Sequence, residues 1–208
     1  MAKPRENLKD RIYKRIKEDI LLGKIKEDDS LLETDISNKF KVSRTPVREA
    51  FGKLEQEGLL TWVPRKGHQV KPVSYDDLLE IFSIRIFLEK GAASIGAKTI
   101  SEEELEKMEY YNIYKDEKAI FDFNKQFHLS IVRAARNKRL LKITEGLIDD
   151  SRRILMFDPY MQEKETLGIG EHARIIEALR SRDPLEAEKA VEEHLIATRR
   201  RIHESLLK

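Results

Sequence analysis

Val42-Ser43-Arg44-Thr45-Pro46-Val47-Arg48-Glu49-Ala50, running on into Phe51-Gly52-Lys53-Leu54-Glu55-Gln56-Glu57-Gly58-Leu59-Leu60, is the stretch whose reading decides the fold. Ser43 is a natural helix N-cap, and Pro46 falls in the first turn, where its missing N–H costs nothing. Val47, Ala50, Phe51 and Leu54 recur on one face of the helix this predicts. Arg44, Thr45 and Arg48 then lie together at its solvent-facing start. An arginine there can pair bidentately with guanine O6 and N7, and a threonine can reach a base edge or a phosphate. Taken alone, the same residues also describe a solvated amphipathic helix, so the flanking segments have to decide.

On the N-terminal side, Leu8, Ile12, Ile16 and Ile20, with Tyr13 between them, form a four-spaced stripe that predicts a helix over Leu8 to Leu22, closed by Gly23. Lys26 to Ser30 reads as a polar turn. Glu33 to Phe40 is a second helix with Ile36 and Phe40 inward, and Lys41 begins the tight connection to Ser43. On the C-terminal side, Leu60, Trp62 and Val63 lead into Pro64-Arg65-Lys66-Gly67 and then His68-Gln69-Val70, two short strands joined by a basic turn. Helix, helix-turn-helix and wing in that order make a winged helix-turn-helix domain over residues 1–72.

Ser43-Arg44-Thr45-Pro46-Val47-Arg48-Glu49-Ala50, then Leu54, Glu57-Gly58-Leu59 and Gly67-His68-Gln69-Val70, resembles the N-terminal domain of the GntR family of bacterial transcription regulators. The resemblance covers essentially all of residues 8–72. It implies double-stranded operator DNA as partner, with Arg44, Thr45, Arg48, Lys66 and Gly67 as the contacting residues and the wing glycine entering the minor groove.

The composition is compatible with this and excludes other classes. A chain of 208 residues, 40% of them hydrophobic, can bury two ordinary cores. No apolar run approaches the roughly 20 residues that span a bilayer, and no signal segment opens the chain, so a cytoplasmic protein without a membrane partner is expected. With no cysteine, disulfide and thiolate chemistry are excluded, and a transition metal would need His, Asp, Glu or Asn ligands. Net charge is only +2, but residues 1–75 hold 17 basic against 12 acidic groups, so the polyanion surface belongs to the first third.

Residues 73–76 form a linker, in which Ser74 and Asp77 set up a capping box for the next helix. Beyond it the periodicity is helical throughout: Leu78 to Ala97, Glu102 to Tyr111 capped by Ser101, Lys118 to Ala135, Arg139 to Met156, Gln162 to Arg180, and Pro184 to Leu207 capped by Asp183. The fold class is therefore mainly α, with the winged domain followed over residues 77–208 by an all-α antiparallel bundle of about six helices.

Three of the five histidines, His128, His172 and His194, lie on three different helices of that bundle beside apolar positions. Each alone fits a satisfied core residue; the triplet fits a site. Asn124 precedes His128 by four residues, about 40° around the helix, so the two can share a ligand. Asp122, about 120° away, points elsewhere. His68 in the wing and His203 at the chain end lack this setting and read as structural.

Asn124-Lys125-Gln126-Phe127-His128, Asn137, His172 to Leu179, and His194 resemble the FCD effector domain of the FadR-type branch of GntR regulators. Many such domains hold a divalent metal with one aspartate and three histidines, which implies Asn124, His128, His172 and His194 as ligands here, and zinc or nickel as the ion. Asn124 departs from the usual aspartate. An amide with three neutral imidazoles leaves the ion at +2, favouring an anionic effector. Occupancy is expected to fall below about pH 6.5, where free imidazole protonates. Arg85, in an Arg-x-x-Leu-Glu pattern with Leu88 and Glu89, resembles the arginine that points into the effector cavity of that domain. A buried guanidinium would call for a carboxylate effector; an Arg–Glu pair on the helix surface explains the pattern equally.

These readings converge on a transcription regulator, a repressor acting as a homodimer on a palindromic operator and responding to a small carboxylate at a metal site. A hydrolase using three histidines on a metal, and a metal-independent dimerisation bundle, are the alternatives. No general base at recognisable spacing supports the hydrolase.

Overall fold

The computed structural model describes residues 7–26, 29–72, 74–113, 120–157 and 168–206. The chain divides into two compact units, Met1–Val73 and Ser74–Lys208.

In the first unit, α1 (Leu8–Leu21) packs on α3 (Arg44–Gln56), with α2 (Glu33–Phe40) beside α3. The four-spaced stripe of α1 places Ile12, Ile16 and Ile20 in a core shared with Val47, Ala50, Phe51 and Leu54 of α3, all nearly inaccessible to solvent. A fully buried side chain of this size stabilises by about 1.5–3 kcal/mol, so this core is what holds α3 in place. α1 ends as expected at Gly23, whose φ of 64° takes the left-handed conformation. Ser43 takes the N-cap position of α3 with extended backbone, but its side chain makes no capping hydrogen bond.

The sheet has one strand more than the sequence reading expects. β2 (Leu60–Val63) and β3 (Gly67–Val70) form the antiparallel wing, and β1 (Ser30–Leu31) adds to the other edge of β3, giving the order β1-β3-β2. Ser30, read as the end of a polar turn, pairs with Gln69, and Leu31 pairs with His68. A two-residue strand has no room to show alternation, so the pairing comes from tertiary context.

The second unit is helical: α4 (Tyr75–Gly96), α5 (Glu102–Ile113), α6 (Ile120–Ala134), α7 (Lys138–Phe157), α8 (Ile169–Arg180) and α9 (Pro184–Leu206). The expected starts at Lys118 and Gln162 and the end at Leu207 lie outside the described residues. The caps are local and legible. Ser74 and Asp77 form a reciprocal capping box at α4, and Ser101 Oγ accepts the Glu104 amide. Asp183 Oδ1 accepts the amides of Leu185 and Glu186, within the first turn that Pro184 opens. α4 lies against α6, α7 and α9, and its Leu78, Phe82, Ala92 and Ala93 join Phe127, Ile131, Ile175, Leu179, Val191 and Leu195 in one core. That arrangement brings α4, α6, α8 and α9 around a common polar interior.

Candidate metal centre and DNA-reading surface

At the start of α3, Arg44, Thr45 and Arg48 are all exposed. Arg48 is not free, however: its Nε donates to Glu33 Oε1 and its Nη2 to Glu33 Oε2, both at 2.9 Å. Such a fork fixes the plane of the guanidinium, which an ordinary surface arginine leaves mobile. The hydrogen bond from Arg48 holds the Glu33 carboxyl below the usual carboxylate range. Glu33, the first residue of α2, was not singled out by the sequence; an acid opening the helix before a recognition helix was the available signal.

The two wing residues behave differently. Lys66 is exposed in the turn between β2 and β3. Gly67 is buried, with φ 83°, and a Cβ placed on it would lie 2.8 Å from Leu32 Cδ2 and 3.1 Å from the Leu31 carbonyl oxygen. Glycine is required here by the approach of β1, which accounts for Gly67 without any groove contact; Arg65, also left-handed, and Lys66 occupy the turn itself. His68 is buried with its ring edge-on to Phe51 and Trp62, as a structural residue should be.

In the bundle, His128 from α6, His172 from α8 and His194 from α9 are 2–3% exposed, and their candidate ligand atoms all lie within 4.8 Å of one another. His128 Nε2 and His194 Nε2 are 3.4 Å apart. Each of these rings is turned by a carboxylate on its other nitrogen: Glu89 Oε2 lies 2.6 Å from His128 Nδ1, and Glu171 Oε2 lies 2.7 Å from His194 Nδ1. A carboxylate on Nδ1 selects the tautomer that leaves Nε2 as a lone-pair donor. His172 is oriented by stacking instead, 3.8 Å from the Phe127 ring and nearly parallel to it. Its Nε2 is buried without a hydrogen-bond partner among the described residues, as is Asn124 Oδ1, one turn before His128.

Two orphaned acceptors and two aimed Nε2 atoms in one interior are what a divalent cation requires, so the residues fit the group the sequence implies. The glycine that begins α8 belongs to the same construction. Gly168 has φ 68°, and a Cβ there would come within 2.6 Å of His194 Cε1 and 2.7 Å of both Arg201 Nη2 and Glu171 Oε2.

The electrostatics favour neutral rings. Burial pushes His194 down to about 4, and burial with the neighbouring rings pushes His172 well below its usual value. Burial alone would raise Glu89, but the Arg85 guanidinium and the His128 ring hold it at about 2. Glu171 is raised by its partial burial and brought down to about 2 by hydrogen bonds from His194 and Arg201.

Arg85 is the largest departure from expectation. It is buried, but the anion it meets is Glu89, one turn on: Nε donates to Glu89 Oε1 at 2.7 Å, and Nη1 to Ser151 Oγ of α7 at 3.2 Å. The pair anticipated as one alternative exists, in the core and not on the surface. Its charge therefore needs no external carboxylate, although Nη2 makes no hydrogen bond among the described residues. Arg201 does the same service for Glu171, through two hydrogen bonds of 2.6 and 3.0 Å. Both outer carboxylates are thus neutralised by an arginine. Asp122 points away from the histidines, as its spacing predicts, and pairs with Arg152. The roles of Glu89, Glu171 and Arg201 beside the histidines were missed; the one signal was the charged i, i+4 pair of Arg85 and Glu89 on an otherwise apolar stretch.

Comparison with known proteins agrees with both units. Residues 8–70 match the bacterial regulatory proteins of the gntR family, and residues 80–197 match the FCD domain. The chain is 30% identical over 202 residues to the HTH-type transcriptional repressor RspR of Escherichia coli, covering 92% of this chain and 87% of that protein. It is 29% identical over 194 residues to the HTH-type transcriptional regulator YdhC of Bacillus subtilis, covering 89% and 84%. Among solved structures, E. coli McbR/YncC superposes with a TM-score of 0.82 at 20% identity over 97% of this chain and 99% of that one, a likeness of fold. The chain therefore belongs to the gntR family of bacterial regulatory proteins, with an FCD domain as its second unit, and is a DNA-binding transcriptional regulator and not an enzyme.

Proposed function

We propose that this regulator represses transcription as a homodimer on a palindromic operator, and that Asn124, His128, His172 and His194 hold one divalent ion, zinc or nickel, at which a small carboxylate acts as effector. The observation that carries the metal reading is the pair of fixed Nε2 atoms of His128 and His194 beside two buried acceptors, His172 Nε2 and Asn124 Oδ1, that nothing among the described residues satisfies. When bound, the ion supplies a Lewis-acidic centre of charge +2 with open positions. Because Arg85 and Arg201 neutralise Glu89 and Glu171, no outer carboxylate cancels that charge, and an anionic ligand is the complement.

On the DNA side, Arg44, Thr45 and Arg48 present donors at the start of α3 and Lys66 adds a cation from the wing, an arrangement suited to base edges in the major groove and to phosphate. A homodimer would repeat this surface on two half-sites.

The test of the metal is elemental analysis after purification without chelator. About one divalent ion per chain is expected in wild type, and little in the His172→Ala, His194→Ala double variant. No metal in wild type, or equal content in both proteins, rejects the site. A melting temperature that falls on adding chelator to wild type, and not to the double variant, would tie the ion to these side chains.

A further inference from the structure

α4 is apolar on both of its faces. One is buried in the bundle; the other exposes Ile84 at 47%, Phe87 at 74% and Ile95 at 56%. With Gly91, these residues are spaced 3, 4 and 4 apart and form one straight stripe. Half-exposed Ile196 of α9 continues it sideways: Arg199 reaches Ser83 and Lys90 reaches Glu192, which sets Ile196 alongside the middle of α4. A helix apolar all round normally has cover on every side. Gly91 is a gap in the stripe, where an added Cβ would meet nothing within 4 Å. The charged residues on this face are confined to its ends, Glu80 at one and Lys98 at the other. Both are exposed, and neither makes an ion pair among the described residues.

We propose that α4 pairs antiparallel with α4 of a second copy of this chain, Phe87 of each filling the gap over Gly91 of the other and Glu80 of each meeting the partner's Lys98. The proposal rests on the homodimer proposed above and gives it a place. A two-fold axis makes an interface self-complementary, so a patch that serves must carry its own counterparts, reversed. This stripe does. Phe87 and Gly91 lie equally far from residue 89 on either side, and so do Glu80 and Lys98. One antiparallel register therefore satisfies the knob, the gap and both charges, while Ile84 comes to lie beside the partner's Ile95. A partner of another sequence would have no reason to find its complement in this order, and a parallel pairing would set Phe87 on Phe87 and like charges together.

Sedimentation equilibrium of the full chain tests this, with circular dichroism as the check on folding, since all four positions are on the surface. Wild type is expected to be a dimer, and Phe87→Glu to dimerise at least tenfold more weakly. Glu80→Lys and Lys98→Glu should each weaken the dimer about two- to tenfold, because each dimer holds the pair twice, and should recover near wild-type affinity when combined. Likewise Gly91→Phe alone should weaken association, and Phe87→Gly with Gly91→Phe should restore it. A dimer unaffected by Phe87→Glu overturns this interface and leaves the homodimer standing. A wild-type chain that is monomeric at every concentration overturns both. Failure of the combined charge reversal to recover overturns the antiparallel register.

Discussion

On the proposed DNA-reading surface Arg48 would meet a base with its guanidinium already held, since Glu33 takes its Nε and Nη2 and leaves the outer edge of the fork open. Replacing Arg44 or Arg48 with alanine is expected to cost about 1–3 kcal/mol on the operator and relax base preference, whereas Lys66→Ala weakens all sequences alike and flattens the salt slope. Glu33→Gln frees Arg48 and removes a negative charge, so it should raise affinity for unrelated DNA while lowering discrimination. Titrations over a salt series on operator and scrambled duplexes measure both; unchanged affinity and preference in Arg44→Ala and Arg48→Ala would remove these residues from the interface. The buried histidines impose a pH dependence of definite sign. In the unfolded chain they protonate near 6.5, but folded His194 does so only at about 4. As pH falls below 6.5 the unfolded state takes up protons first, so the metal-free protein should lose stability progressively down to about pH 4, by about 3 kcal/mol from His194 alone at about 1.4 kcal/mol per pH unit. Denaturant unfolding in chelator across that range reads the slope, which His194→Gln should flatten. The same depression bears on the expected loss of metal below about pH 6.5: protons compete weakly for His172 and His194, so these two ligands should hold the ion to lower pH than free imidazole would.

At the level of elements, two glycines with opposite surroundings make paired predictions. Gly67, left-handed and pressed against Leu31 and Leu32, joins β1 to the wing, so Gly67→Ala should destabilise by about 1–2 kcal/mol or more and loosen the turn that carries Lys66. Gly146 is an exposed position inside α7 with open space around it, so Gly146→Ala should stabilise by about 0.5–1 kcal/mol. Thermal unfolding of the two variants checks both signs, and a stabilised Gly67→Ala would show that β1 does not constrain the wing. These contrasts also show what a sequence can carry. Helices and their caps were legible because their signals are local: the stripe of Ile12, Ile16 and Ile20, the capping box of Ser74 and Asp77, and the Asp183-Pro184 start. The three histidines were legible by their placement on apolar faces. Glu89 was not, because its partner His128 lies 39 positions away and no periodicity links them. Glu171 is next to His172 in sequence, yet it orients His194, while Glu193, next to His194, pairs with Arg174. A helix turns adjacent residues about 100° apart, so sequence neighbours are poor guides to partners.

Across the whole molecule, α4 is the one element with a stake in every proposed activity. Its buried side carries Glu89 and Arg85, hence the orientation of His128; its exposed side carries the Phe87 stripe; and its first residue, Tyr75, follows Val70 of the wing strand by a short segment. A carboxylate that ligated the ion would displace nothing from Arg85, whose charge Glu89 already meets, but it would change the field at the hydrogen bond between His128 and Glu89, and so would bias where α4 rests. Such a ligand alters DNA affinity only by binding two arrangements of the dimer unequally, typically with a coupling of about 1–3 kcal/mol, which is about 5- to 150-fold in operator affinity. Di- and tricarboxylates and related hydroxy acids are therefore expected to raise the melting temperature only in the metal-loaded protein, and to shift operator affinity by a factor in that range. Asn124→Asp should weaken the response, since a carboxylate ligand lowers the net charge that the effector meets. Glu89→Gln should reduce the effect of a carboxylate on DNA, because it takes the charge from the link between His128 and α4 without removing a ligand. The measurement is a thermal-shift panel with and without chelator, followed by operator titrations at saturating carboxylate. Equal shifts in both conditions would place the effector away from the ion. A Glu89→Gln protein with wild-type coupling would show that the message leaves the metal centre by another helix.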